Sequence, residues 1–117
     1  MKIDGCCHCG AVSYEAEIDL DKVMVCHCTD CQTLSGSAFR TVVLTRENSF
    51  KLLSGQPKIY IKTGESGIRR QQAFCGQCGS PIYSAPADSE ARIHSIRRCE
   101  AAARSGGLWK QGRRAFV

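Results

Sequence analysis

The sequence feature that most constrains this chain is the spacing of its cysteines. Nine cysteines occur in 117 residues, and three of them fall within residues 26–31, the run Cys-His-Cys-Thr-Asp-Cys. Two further clusters occur at residues 7–9 (Cys-His-Cys) and 75–78 (Cys-Gly-Gln-Cys). The Cys-x-Cys and Cys-x-x-Cys spacings are those with which proteins chelate a soft metal ion such as zinc. We therefore predict a fold organised around metal ions.

A disulfide-stapled secreted domain is the competing interpretation of so many cysteines. It requires a secreted context and usually an even count, whereas the count here is nine. Residues 1–5 lack the apolar segment of a secretory signal, and no run approaches the ~20 apolar residues of a membrane span. We therefore expect a cytoplasmic protein without membrane association, in which closely spaced thiols bind metal.

The positive charge of the chain is concentrated near its C-terminus. The net charge is +5, but residues 1–87 carry nine Lys/Arg against eight Asp/Glu, and residues 88–117 carry seven against three. A basic tail can bind nucleic acid, yet the body of the chain has neither a basic stripe nor interleaved aromatic residues. The charge pattern therefore argues against nucleic acid as the principal partner.

Hydrophobic periodicity predicts a mainly β fold, a single small zinc-stapled domain of short antiparallel strands. Residues 11–18 alternate apolar and polar side chains, the period-two pattern of a strand with one buried face. An acidic turn at residues 19–21 should end that strand, and residues 29–36, which lack alternation, should form a helical turn followed by a loop. Further short strands are predicted at residues 23–25, 38–45, 50–53, 58–62, 68–74, 81–84 and 92–97.

The two outer clusters together supply four thiols, enough for a closed structural zinc site. Cys75 and Cys78 form a Cys-x-x-Cys turn whose glycines permit left-handed backbone geometry. Cys7 and Cys9 are natural partners for them, because in an extended segment these two side chains point to the same face. The use of Cys6 with Cys9 as the ligand pair is one alternative, and a redox dithiol at Cys75 and Cys78 is another.

The central cluster supplies only three thiols, Cys26, Cys28 and Cys31. Structural zinc is usually saturated by four protein ligands, whereas catalytic zinc keeps three protein ligands and one open position. The sequence therefore predicts a second, catalytic zinc at these three cysteines. A fourth ligand from Cys6, His27 or Cys99 would close the site and weaken the case for catalysis.

Three motifs carry a family resemblance: GCCHCGAVSY at residues 5–14, CHCTDCQTLSGS at residues 26–37 and FCGQCGSP at residues 74–81. Over roughly residues 3–86, the chain resembles the glutathione-dependent formaldehyde-activating enzyme family, which also includes centromere protein V. The resemblance implies a β-tent fold with two zinc ions per chain. The implied structural zinc ligands are Cys7, Cys9, Cys75 and Cys78, and the implied catalytic zinc ligands are Cys26, Cys28 and Cys31.

The resemblance also implies an activity. The family is named for condensing formaldehyde with glutathione to S-hydroxymethylglutathione, a carbon-sulfur lyase reaction, so the implied partners are glutathione or a similar small thiol and a small aldehyde. Three thiolates give a zinc site a net negative charge, which makes it poor at generating hydroxide but suits a soft thiol ligand. We expect the glutathione sulfur to take the open position and formaldehyde to be captured beside it. The alternative is a non-catalytic zinc-stabilised module that binds a macromolecular partner.

The sequence leaves several supporting roles open. His27 and Asp30 could each move a proton between the thiol and the new hydroxyl. An extended Cys-His-Cys segment turns the His27 ring away from the metal, however, which favours a packing role for this residue. Basic side chains could bind the two carboxylates of glutathione. No pattern selects among the six candidates, which are Arg40, Arg46, Lys51, Lys62, Arg69 and Arg70.

The resemblance fades after about residue 96. We therefore expect a zinc-binding β domain at residues 1–96 and a divergent basic tail at residues 97–117. The tail either packs through Leu108, Trp109 and Phe116 or is a divergent, frameshifted end that stays mobile. Cys99 lies outside every ligand set and is expected to be a free thiol.

Overall fold

The computed structural model describes residues 1–64 and 67–88, which form seven strands and one short helix. The mainly β, single-domain prediction is confirmed. The predicted strand at 92–97, the boundary at residue 96, the tail and Cys99 lie outside the described residues. The elements are β1 (Lys2–Cys6), β2 (Ser13–Cys26), α1 (Thr29–Ser35), β3 (Arg40–Thr45), β4 (Lys51–Ser54), β5 (Lys58–Thr63), β6 (Arg69–Phe74) and β7 (Pro81–Pro86).

The described strands form two antiparallel sheets, and the first is built around the long strand β2. The beginning of β2 pairs with β1 on one side and with β4 on the other. The end of β2 pairs with β3, where Cys26 lies opposite Arg40. The second sheet has the order β5-β6-β7. Strand β2 begins just after the loop that carries Cys7 and Cys9, and it ends at Cys26. It therefore connects two of the three cysteine clusters directly.

Two features of the first sheet differ from the sequence prediction. The predicted turn at residues 19–21 is wrong, because β2 is continuous and shifts its register against β3 between Ile18 and Val23. Bulges of this kind absorb extra residues without ending a strand. Strand β1 was not predicted at all, since its short sequence KIDGC shows no regular alternation. It is held in place by pairing with β2.

The core lies between the two sheets. The buried face predicted for β2 is confirmed, with Val12, Tyr14, Ala16 and Ile18 each no more than 2% exposed. The ring of Phe50 stacks on Tyr14 at a centroid distance of 5.2 Å and meets Tyr83 of β7 edge-on at 5.0 Å. Complete burial of a large apolar side chain contributes about 1.5–3 kcal/mol. This contact therefore helps to dock the second sheet onto the first.

Strand β5 places the side chain of Lys62 against the space between the sheets. The alternation of residues 58–62 predicts two faces, with the isoleucines on one and Lys58, Tyr60 and Lys62 on the other. Ile59 and Ile61 are 44% and 38% exposed, whereas the side chain of Lys62 is only 19% exposed and lines a cavity. The strand thus delivers a cation to the space between the sheets.

Within residues 1–64 and 67–88, no helix is both long enough and apolar enough to cross a membrane.

Candidate metal centres

Four thiols meet where the loop after β1 approaches the turn between β6 and β7. The sulfur atoms of Cys7, Cys9, Cys75 and Cys78 all lie within 4.8 Å of one another. The Cys7 and Cys9 sulfurs are 3.6 Å apart, and those of Cys9 and Cys75 are 3.7 Å apart. A tetrahedral zinc with Zn–S bonds of about 2.3 Å has S–S edges of roughly 3.8 Å. The donor set and its spacing therefore fit a zinc ion, and the Cys6–Cys9 alternative is not the arrangement that forms.

The two turns that carry these thiols have the same local design. The Cys7 amide donates to the Val12 carbonyl, and the Cys75 amide donates to the Ser80 carbonyl, each at 2.9 Å. Each turn then contains a glycine with positive φ, 83° at Gly10 and 76° at Gly79, where an L side chain would be strained. The left-handed geometry predicted for this second turn is thus found at Gly79, and Gly76 does not adopt it. Both turns direct backbone amides at sulfur.

Those amide-to-sulfur hydrogen bonds run from Val12 to Cys7 at 3.3 Å and from Gln77 to Cys75 at 3.4 Å. Hydrogen bonds of this type orient and stabilise thiolate ligands. A hydrogen bond with the Ser80 hydroxyl, 3.2 Å away, is the main cause that lowers the pKa of Cys78 to about 5. Cys78 is therefore prepared to bind a cation as a thiolate.

Without a cation the four sulfurs compete for negative charge. A backbone hydrogen bond from Ala11 favours the Cys9 thiolate. The neighbouring sulfurs of Cys7 and Cys75 and the partial loss of hydration act in the opposite direction, and they raise the pKa of Cys9 to about 11. A divalent ion would relieve this repulsion among neighbouring thiolates. The electrostatics of the cluster, like its geometry, fit a structural metal.

Three further thiols meet where β2 ends and α1 begins. Cys26 is the last residue of β2, Cys28 caps α1, and Cys31 lies in its first turn. Their sulfurs lie within 4.8 Å of one another, and the Cys31 amide donates to the Cys28 sulfur at 3.3 Å. The helix then ends at Gly36, which has a φ of 66°. The predicted helical turn at 29–36 is confirmed, and it is what folds three nearby thiols onto one point.

No fourth His, Cys, Asp or Glu ligand joins this three-thiol group within the described parts of the chain. Cys6 and His27 are thus not among its members. The exposed His27 ring instead lies near Phe39, with 6.1 Å between centroids. Asp30 accepts a hydrogen bond from Lys62 Nζ at 2.9 Å. The group keeps the three-ligand character that its sequence predicted.

The three thiols open onto a cavity of about 250 Å³ between the sheets. Three of the six candidate basic residues line it, namely Arg40, Lys62 and Arg70. Arg46, by contrast, is exposed and pairs with Asp19 at 2.7 Å. The complete lining is Met24, Cys26, Cys28, Cys31, Arg40, Val42, Lys62, Arg70, Gln72 and Ser84. The cavity therefore places three cations beside three thiols.

The thiols of this group differ in acidity. The backbone hydrogen bond from Cys31 is the main cause that lowers the pKa of Cys28, and the positive charge of Lys62 contributes in the same direction. Burial, followed by contact with Cys26 and Cys28, raises the pKa of Cys31 to about 12. As in the four-thiol group, adjacent sulfurs cannot all ionise unless a cation is present. The donor set therefore fits zinc here too.

Gln72 and Ser84 are cavity residues that the sequence did not reveal. Both are buried, at 9% and 6% exposed, and neither belongs to a recognisable motif. Gln72 and Arg40 also line a second, largely apolar cavity of about 280 Å³. Its other walls are Leu34, Tyr60, Ala73, Phe74, Gly79, Pro81 and Tyr83.

Comparison with known proteins agrees with this architecture. The family model described as "Glutathione-dependent formaldehyde-activating enzyme" matches residues 2–105. The crystal structure of a Rhodobacter sphaeroides protein superposes with a TM-score of 0.65 at 18% sequence identity, covering 94% of this chain and 95% of that chain. At that identity the structural likeness concerns the fold alone. Because the family model spans most of the sequence, the chain belongs to the glutathione-dependent formaldehyde-activating enzyme family.

Proposed function

We propose that this chain is an enzyme that joins a small aldehyde, formaldehyde in the first instance, to the thiol of glutathione. The three-thiol group Cys26, Cys28 and Cys31 would hold a catalytic zinc, and the four-thiol group would hold a structural one. The observation that carries the proposal is the three-thiol group itself, which opens onto a cationic cavity and acquires no fourth ligand within the described residues. A purely structural zinc site would be expected to be saturated by protein.

A zinc ion bound by the three cysteines would stabilise the thiolate form of a substrate sulfur at neutral pH. The remaining contributions come from the chain. Lys62 and the two cavity arginines give the site a positive potential that attracts a thiol-bearing anion. Asp30 holds the Lys62 ammonium at 2.9 Å, so this cation is positioned before the substrate arrives.

The proposed reaction adds a thiol to a carbonyl. The thiol gives up its proton, the sulfur forms a bond to the aldehyde carbon, and the carbonyl oxygen takes a proton to become the hydroxyl of the adduct. Lys62 is suited to stabilise the negative charge that develops on that oxygen, because it lines the thiol cavity and is largely screened from water. His27, which lies near Phe39, is a weaker candidate for proton transfer.

The substitution Cys28→Ser tests this proposal. We expect the zinc content to fall from two ions per chain to one, and the formation of S-hydroxymethylglutathione to fall by about 100-fold or more, given that even outer-shell changes at zinc sites cost 10–100-fold. Zinc content and turnover should be measured on the same samples. The control is His27→Gln, which changes the same motif outside the thiol group and should keep both ions.

Full turnover by Cys28→Ser after loss of one zinc would refute the proposed site. A wild-type protein with a single zinc, whose metal environment does not respond to glutathione, would instead favour a non-catalytic binding module. The response can be followed by X-ray absorption at the zinc edge, which separates sulfur from oxygen ligands.

A further inference from the structure

Arg40 is the most deeply buried cation on the described part of the chain. It is 7% exposed, although arginine is almost never fully buried without a partner. Arg40 begins β3 and lies directly opposite Cys26 of β2. Directly opposed residues of antiparallel strands project to the same face. The guanidinium of Arg40 and the sulfur of Cys26 therefore line the same cavity.

Among the described residues, the Arg40 guanidinium has few hydrogen-bond partners. Among the described residues its side chain makes one hydrogen bond, from Nη1 to Gln72 Oε1 at 3.4 Å. Its Nε is buried and has no hydrogen-bond partner there. A guanidinium offers five donors in a planar fork, and no carboxylate of the described residues lies within ion-pair distance of it. Lys62, in contrast, already pairs with Asp30.

A polar network fixes the position of Gln72 and, through it, of Arg40. Gln72 Nε2 donates to the Ser84 hydroxyl at 2.9 Å, so the amide oxygen of Gln72 points toward Arg40. Arg70 also donates to Ser84 Oγ, from both Nε and Nη2 at 3.3 Å. Burial alone lowers the pKa of Arg70, as expected for a cation removed from water. The cavity wall is thus a pre-arranged cationic surface.

A buried charge is costly unless an opposite charge compensates it. A zinc bound by the three thiolates would leave a net charge of about −1, which is shared with the cations that line the same cavity, Arg40, Lys62 and Arg70. A further anionic group beside Cys26 would complete the compensation of Arg40. A carboxylate on the thiol substrate is such a group, since a planar carboxylate matches the fork of a guanidinium.

We infer that Arg40 is the residue that recognises a carboxylate of the thiol substrate, so that the site selects thiols that carry a carboxylate over neutral thiols. This inference rests on the proposed thiol function, but it concerns a different part of the ligand. Arg40 acts as a specificity-determining residue, with Gln72 and Ser84 as its supports. Glutathione satisfies the requirement, and a simple alkyl thiol does not.

The test uses S-methylglutathione, which has no thiol, so that binding does not depend on thiolate chemistry. Its affinity and that of its diethyl ester, in which both carboxylates are blocked, are measured by titration calorimetry on the zinc-loaded full chain. We expect the wild type to bind the free acid about 100-fold more tightly than the diester. In Arg40→Gln this preference should shrink by about tenfold or more.

Two further variants complete the test. Arg40→Lys keeps the charge but loses the planar guanidinium that can donate two hydrogen bonds to one carboxylate. This variant should show an intermediate preference for the free acid over the diester. Arg46→Gln removes an exposed arginine just after the far end of β3 and should behave as the wild type. Since the readout is a ratio of two affinities, partial unfolding of a variant does not produce the expected pattern.

The outcomes separate the two proposals. An Arg40-dependent preference in a protein that lacks turnover would support the carboxylate site and refute the proposed reaction. Turnover together with an undiminished preference in Arg40→Gln would refute the role of Arg40 and leave the reaction standing. Equal binding of acid and diester by the wild type, or no binding of either, would also overturn the inference.

Discussion

The substitution Cys75→Ser is expected to leave the chain unfolded at 25 °C. Cys75 is 1% exposed. The four-thiol group to which it belongs joins the β6–β7 turn to the loop after β1. Structural zinc contributes about 10–16 kcal/mol of apparent binding free energy in small zinc peptides, which becomes folding free energy. A small domain has a net stability of only about 5–15 kcal/mol. Far-ultraviolet circular dichroism and urea titration, with and without a chelator, measure the loss.

The matched control for that experiment is Cys31→Ser, which removes one thiol from the other group. Cys31 holds together a site built within residues 26–31, so its loss should leave the two sheets docked and the urea midpoint near that of the wild type. A Cys75→Ser variant that unfolds at the same urea concentration as Cys31→Ser would contradict the structural role of the four-thiol group.

The substitution Gly55→Ala is expected to be strongly destabilising although it lies away from the metal sites. Gly55 has a φ of 75°, and a Cβ atom there would collide with the Ala11 carbonyl oxygen and lie 3.0 Å from Val12 Cα. Both neighbours are backbone of the two residues just before β2, so neither can move without shifting the start of that strand. We expect a loss of about 3 kcal/mol, the sum of left-handed strain and overpacking. The melting temperature should fall by about 15 °C.

Gly36→Ala separates these two contributions. Gly36 also has a positive φ, 66°, but a Cβ there would meet nothing within 4 Å. The Gly36→Ala variant should therefore lose only the free energy of the backbone strain, about 1–2 kcal/mol of stability. If the melting temperatures of the two variants fall equally, the clash with Ala11 does not govern the behaviour of Gly55.

The sequence predicted those parts of the fold that depend on local pattern. The alternation over residues 11–18 identified the buried face of β2, and the absence of alternation over 29–36 identified the helical turn. Strand β1 and the continuity of β2 past residue 19 depend on pairing with distant strands. Local sequence pattern does not identify the strand that pairs with a segment, so the acidic residues 19–21 predict a turn although β2 continues through them.

The spacing within each cysteine cluster was predictable for a similar reason, because it is a local property, whereas the choice of Cys7 with Cys9, Cys75 and Cys78 came from the family resemblance. The lining of the cavity was not predictable. Arg40 was one of six equivalent candidates in sequence, and what distinguishes it is its burial and its position opposite Cys26. Gln72 and Ser84 acquire their role through hydrogen bonds between β6 and β7. Such roles arise from tertiary placement and have no sequence signature.

The two thiol groups also differ in how much of the chain separates their members. Cys26, Cys28 and Cys31 need only one turn of helix to converge, whereas Cys7 and Cys78 converge only after both sheets are docked. Short loops close at a smaller entropic cost than long ones. It follows that a nascent chain can bind metal at the three-thiol group first. The four-thiol group can assemble only when the two sheets are docked, so metal binding there stabilises the docked arrangement.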